Sequence, residues 1–86
     1  MGDVLVTLKV MPEGVDSDLK VIEDRLREVD AGRFNSLEKV PIAFGLVALK
    51  ATYVVADEGG AAERLEEAIK GIEGVKTVET IEASLV

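Results

Sequence analysis

The sequence predicts an α+β fold: a four-stranded sheet with two helices on one face. Three observations carry that expectation. Apolar residues are spaced as in strands in four stretches and as in helices in two others. These stretches follow one another as strand, helix, strand, strand, helix, strand. Breaks rich in Gly, Pro and Asp separate them.

The first strand is read from Asp3 to Met11. Val4, Val6, Leu8 and Val10 point one way, and Asp3, Leu5, Thr7, Lys9 and Met11 the other. Pro12-Glu13-Gly14 ends it. Asp16 or Ser17 is the expected cap of a first helix, in which Leu19, Ile22, Leu26 and Val29 form the apolar stripe. Glu23 and Arg27 stand four apart in the favourable orientation. Asp30-Ala31-Gly32 is the expected stop. A weaker strand follows from Arg33 to Val40. Phe34, Leu37 and Val40 do not alternate cleanly, which implies a bulge or a late start.

Pro41-Ile42-Ala43-Phe44-Gly45 then leads into the longest strand-like run, Leu46–Ala56. Proline lacks a backbone donor and sits poorly in a central strand, and glycine permits a reversal. The segment is read as a turn region, with Phe44 close to the reversal. The chain has two Phe, one Tyr and no Trp. An aromatic spent at a turn is either a plug for the end of the core or a prong for a partner. In the long strand, Val47, Leu49, Ala51, Tyr53 and Val55 are expected inward, because Lys50 and Thr52 fall on the other face. Asp57-Glu58-Gly59-Gly60 breaks the chain again. Ala61, Leu65, Ala68, Ile69 and Ile72 stripe a second helix, Glu66 and Lys70 are an expected ion pair, and Gly71 and Gly74 are candidate left-handed caps. The last strand starts at Val75, with Ile81, Ala83 and Leu85 on one face and Val78 out of phase.

The order β-α-β-β-α-β is the ferredoxin-like split βαβ arrangement. Right-handed crossovers place both helices on one face of an antiparallel sheet in the order 4-1-3-2. The other face is then expected to show Leu5, Thr7, Lys9 and Met11 beside Leu46, Ala48, Lys50 and Val54. That is either a sparse, tolerated exposed sheet or a contact surface. No linker, low-complexity segment or repeat beyond the two βαβ halves interrupts the chain, so residues 1–86 are expected to form a single domain.

Composition narrows the function. The chain has 86 residues, 48% hydrophobic and 31% charged, which suits a globular domain with one modest core. It has no cysteine and no histidine. Disulfides, thiolate metal sites, thiol nucleophiles and the commonest general base are excluded. The net charge is −7, and both halves are acidic. Phosphate contacts rest on Lys and Arg, so no direct nucleic-acid partner is expected. Neither a signal peptide nor a bilayer-spanning run is evident, and a cytoplasmic location without membrane contact is expected.

No catalytic or metal site emerges. Asp57-Glu58 and Glu66-Glu67 read as a solvated loop and a solvated helix face. Gly59-Gly60 precedes a helix but matches no phosphate-binding motif, and the neighbouring carboxylates would repel phosphate. Soft-metal chaperones of this fold need paired cysteines. RNA-recognition domains need aromatics on the open face. Acylphosphatase-type enzymes need an arginine after the first strand, where Met11-Pro12-Glu13-Gly14 stands. Binding without covalent chemistry is the expected class, with no enzyme activity and no cofactor.

At this point the chain resembles a known family. Val6-Thr7-Leu8-Lys9-Val10-Met11-Pro12 and Pro41-Ile42-Ala43-Phe44-Gly45-Leu46 carry the resemblance. Val54-Val55-Ala56-Asp57 and Gly71-Ile72-Glu73-Gly74-Val75 support it. The whole chain is similar to the archaeal, stand-alone form of the elongation factor 1-beta family, the guanine-nucleotide exchange partners of the translation GTPase elongation factor 1-alpha. The resemblance implies an exchange domain over residues 1–86 that favours the nucleotide-free GTPase. It implies elongation factor 1-alpha as partner and a contact made by Phe44, with Pro41, Ile42, Ala43 and Gly45 shaping its loop. A monomer is expected. Eukaryotic relatives also use a lysine next to the C-terminus to disturb the GTPase's magnesium site. Ile81-Glu82-Ala83-Ser84-Leu85-Val86 has no lysine, so that role is not carried over. A different class stays open beside it: a homo-oligomeric, ligand-sensing regulatory module that pairs through the open sheet face.

Overall fold

The computed structural model describes residues 2–14, 18–43 and 45–85. Six elements follow one another: β1 (Asp3–Pro12), α1 (Leu19–Glu28), β2 (Arg33–Ala43), β3 (Leu46–Ala56), α2 (Ala61–Lys70) and β4 (Val75–Leu85). The strands form one sheet in the order β2-β3-β1-β4, with every neighbouring pair antiparallel. This is the ferredoxin-like order expected, read from the opposite edge.

The alternation in β1 and β3 sorts their side chains as expected. Val6, Leu8, Val10, Leu49, Ala51 and Tyr53 are fully buried and meet Ile22 and Leu26 of α1 and Leu65 and Ile69 of α2 in one core. Burying each such side chain contributes about 1.5–3 kcal/mol of transfer free energy, which makes this seam the main source of stability. Tyr53 sits at its centre. Its hydroxyl donates to the Leu26 carbonyl at 2.7 Å, which serves a carbonyl in the last turn of α1. Its ring meets Phe34 edge-on, with centroids 5.8 Å apart.

Bulges explain the strands that alternate poorly. In β2, Phe34 faces Tyr53 and Ser36 faces Thr52, so Asn35 has no partner. The extra residue lets Phe34 and Leu37 both pack on the core. It also sends Val40 to the other face, opposite Ala48. In β4, Glu82 faces Thr7 and Thr80 faces Leu8, so Ile81 is the unpaired residue. Ile81 therefore falls outside the regular pairing that sets Ala83 and Leu85 opposite Val6 and Val4, and it is 48% exposed. The same bulge brings Val78 opposite Val10, in contact with the core.

The helix termini depart from expectation. Asp16 and Ser17 lie outside the described residues. The cap of α1 is Asp18, whose carboxylate accepts from the Lys20 and Val21 amides at 3.1 and 3.4 Å. α1 ends at Glu28 with Val29 as its cap, directly before the expected Asp30-Ala31-Gly32 stop, and Gly32 does not itself cap it. It makes room instead: a Cβ there would stand 2.8 Å from Val55 Cγ1. Gly71 is right-handed at φ −75°, while Gly74 is left-handed at φ +95°. Glu66 does not pair with Lys70. Its carboxylate accepts from the Thr80 hydroxyl on β4, tying α2 to the sheet edge. Glu23 does meet Arg27, at 3.9 Å, and also Lys39 of β2, at 3.4 Å.

Candidate functional site

The sheet divides at the end that carries the Pro41–Gly45 segment. The β1–β3 ladder ends at Val10–Leu49, whereas β2 and β3 stay paired to Ala43–Leu46. β1 and β4 also stay paired, to Pro12–Val75, so the sheet ends here as two two-stranded arms, of which β2–β3 carries the Pro41–Gly45 segment. Eleven-residue strands span about 37 Å, which accounts for the elongated 42 × 20 × 16 Å envelope.

Four of the five residues expected to contact a partner are placed on this arm. Pro41, Ile42 and Ala43 are the last residues of β2, not members of a turn as expected. Proline is accommodated because β2 is an edge strand, where a missing amide breaks no second ladder. Pro41 faces Val47 and Ala43 faces Leu46, so Ile42 falls in a second bulge and is 43% exposed. Gly45 has φ +81°, a conformation that favours glycine, and nothing lies within 4 Å of where its Cβ would be. The fifth residue, Phe44, lies outside the described residues. β2 ends at Ala43 and β3 begins at Leu46. Sequence reasoning missed the Ile42 bulge, whose only signal was a β-branched residue after proline.

The uncovered sheet face is ordered in ranks across the strands. Leu5 and Val54 face each other near one end, and then Thr7 and Thr52, whose hydroxyls are 3.4 Å apart. The Lys9–Lys50 pair comes next. Ala48 and Met11 follow towards the arm. Thr7 and Ala48 are nearly closed to solvent, at 7% and 1% exposure, and the two lysines are half-buried. On the opposite side of the molecule, a depression between the helices exposes Val21 and Ile72 but is rimmed by Glu13, Asp18, Glu67 and Glu73 against the single Arg25.

The chemistry of these surfaces is sparse. Among the described residues, no three acidic side chains converge as a metal-binding group. Glu58 pairs with Arg64 at 2.6 Å, which anchors the Asp57–Gly60 loop to α2. Among the described residues, the clearly displaced titration is that of Tyr53, whose phenol burial pushes well above its ordinary value. It belongs to the core, away from the arm. No helix among the described residues is long and apolar enough to cross a membrane.

The fold class is that of other ferredoxin-like domains. The structure resembles the ACT domain from GTP pyrophosphokinase of Chlorobium tepidum, with a TM-score of 0.66, 16% identity, and coverage of 92% of this chain and 99% of that one. It also resembles the C-terminal domain of the MgtC protein from Mycobacterium tuberculosis, with a TM-score of 0.56, 10% identity, and coverage of 99% and 88%. At such identities the likeness concerns the fold alone.

Sequence similarity reaches further. The profile of the EF-1 guanine nucleotide exchange domain matches residues 5–86. Elongation factor 1-beta of Methanothermobacter thermautotrophicus is 44% identical over 81 residues, covering 92% of this chain and 91% of that protein. Elongation factor 1-beta of Thermoplasma acidophilum is 42% identical over 88 residues, with complete coverage of both. That of Methanococcoides burtonii is 46% identical over 85 residues, covering 95% and 94%. The chain belongs to the EF-1 guanine nucleotide exchange domain family.

Proposed function

We propose that residues 1–86 act as one exchange domain that speeds GDP release from the translation GTPase elongation factor 1-alpha. The observation that carries this reading is the β2–β3 arm, which presents Pro41, Ile42, Ala43 and Gly45 past the end of the β1–β3 ladder in a chain belonging to an exchange-domain family. Phe44, between Ala43 and Gly45, is the proposed anchor. The mechanism is linkage. A factor that binds the nucleotide-free GTPase more tightly than the loaded form must weaken nucleotide binding by the same factor. GDP then leaves faster, and GTP takes its place. An apolar anchor at the end of an arm serves this by stabilising a displaced segment of the partner. No covalent step is involved, so neither histidine nor cysteine is needed. A monomer suffices for this mechanism.

Phe44→Ala tests the reading. Removing an anchor commonly costs about 2 kcal/mol, roughly thirty-fold in affinity. Stopped-flow release of a fluorescent GDP from elongation factor 1-alpha should slow accordingly, while the thermal midpoint of the domain stays within a few degrees. Wild-type acceleration by the folded variant overturns the anchor role. A large loss of thermal stability instead assigns Phe44 to the core end.

A further inference from the structure

The open face carries a charge arrangement that neither the core nor the arm explains. Lys9 and Lys50 are direct partners across β1 and β3. Like charges directly opposite in a sheet are destabilising. Glu38 of β2 faces Lys50, and Glu79 of β4 faces Lys9, so one rank reads Glu38–Lys50–Lys9–Glu79 across all four strands. Yet neither lysine is in an ion pair among the described residues, where the bridges formed are those of Arg25, Arg27, Lys39 and Arg64. The outer carboxylates are exposed and the lysines half-buried. The rank is neutral as a whole, but its centre is two adjacent positive charges, set between the small side chains of Thr7 and Ala48.

We propose that Lys9 and Lys50 together bind one carboxylate, an Asp or Glu side chain of the GTPase on which this domain is proposed to act, and that the open face is a second contact with that partner beside the arm. The inference rests on the exchange reading. Charge decides the occupant. Two facing ammonium groups lose their repulsion when a carboxylate sits between them. Glu38 and Glu79 bracket the pair, which limits the site to a single compact anion. A polyphosphate or nucleic-acid backbone would extend onto those carboxylates. A second copy is disfavoured twice over. Each copy carries −7, and a two-fold axis through the rank would set lysines against lysines. The complementary partner surface is a central acidic residue flanked by basic ones that reach Glu38 and Glu79.

The test is the double variant K9Q/K50Q, with affinity for nucleotide-free elongation factor 1-alpha measured at several salt concentrations. The expected result is a roughly ten- to hundred-fold weaker complex, with a flatter salt dependence than the wild type. The free variant should stay within a few degrees of the wild type in thermal unfolding, because one cross-strand repulsion and two cross-strand attractions are removed together. Lys50→Arg, which keeps the charge, should retain tight binding. Unchanged affinity of K9Q/K50Q overturns the inference alone. So does a wild-type dimer in sedimentation that the double substitution alters, which assigns the face to a second copy. Failure of the wild-type domain to bind the GTPase or release its nucleotide overturns the exchange reading, and this inference with it.

Discussion

The two faces of the sheet are built from the same strands and behave as different materials. On the helix side, Val6, Leu8, Val10, Leu49, Ala51 and Tyr53 close against α1 and α2 with no exposed surface. On the open side, the intervening residues of β1 and β3 are Leu5, Thr7, Lys9, Ala48, Lys50, Thr52 and Val54, which pair small hydroxyls and like charges across the strands. The first face maximises apolar burial. The second retains a destabilising lysine pair at its centre. Where a surface gives up stability that an ordinary substitution would restore, function is the usual reason.

Substitutions of graded severity probe that contrast. The largest expected effect is in the core. Leu26→Ala removes a fully buried side chain and should cost about 3 kcal/mol in denaturant unfolding, because the surrounding helices and sheet relax only partly into the cavity. A cost below about 1 kcal/mol would show that the helix side is no more tightly packed than the open side.

Tyr53→Phe is intermediate. It removes the hydroxyl that serves the Leu26 carbonyl and should cost about 1 kcal/mol at neutral pH. It also sharpens the comparison through pH. Burial raises the phenol's pKa in the folded state. The protonated form is therefore favoured by folding, and the contribution is fully present below the unfolded value of about 10. It is lost as pH rises from there through the folded value. Unfolding followed from pH 8 to 11 should show an alkaline decline that is shallower in Tyr53→Phe. Identical slopes would mean that the ring is not shielded from water.

The smallest effect belongs to the open face. Thr52→Val removes a long hydroxyl contact with Thr7 and should change stability by less than about 0.5 kcal/mol. A loss as large as that of Leu26→Ala would erase the distinction between the faces.

Much of this was legible in the residues. The strict alternation of Val4 to Val10 and of Val47 to Val55 identified the core-facing side of both central strands, because these strands are paired on both edges and burial follows period two. The stripe Leu19, Ile22, Leu26 placed α1 in the same way. The edge strands were less legible. Asn35 and Ile81 each interrupt the period by one residue, and a bulge is stabilised by the partner strand rather than by its own sequence. The same holds at the candidate site. The motif Pro41 to Gly45 stands out as a string of residues, but its first three belong to a strand, because only an unpaired edge tolerates proline there.

By themselves, the residues determined the element order, the two buried stripes, the acidic balance and the lack of sulfur or imidazole chemistry, since these depend on local periodicity and composition. The tertiary structure alone decided that β3 parts from β1 beyond Leu49 while staying paired with β2, and that Lys9 meets Lys50 between Glu38 and Glu79. Those facts are matters of register between strands far apart in the chain. No short turn sets the pairing of β1 with β3, so it settles only when the whole core packs.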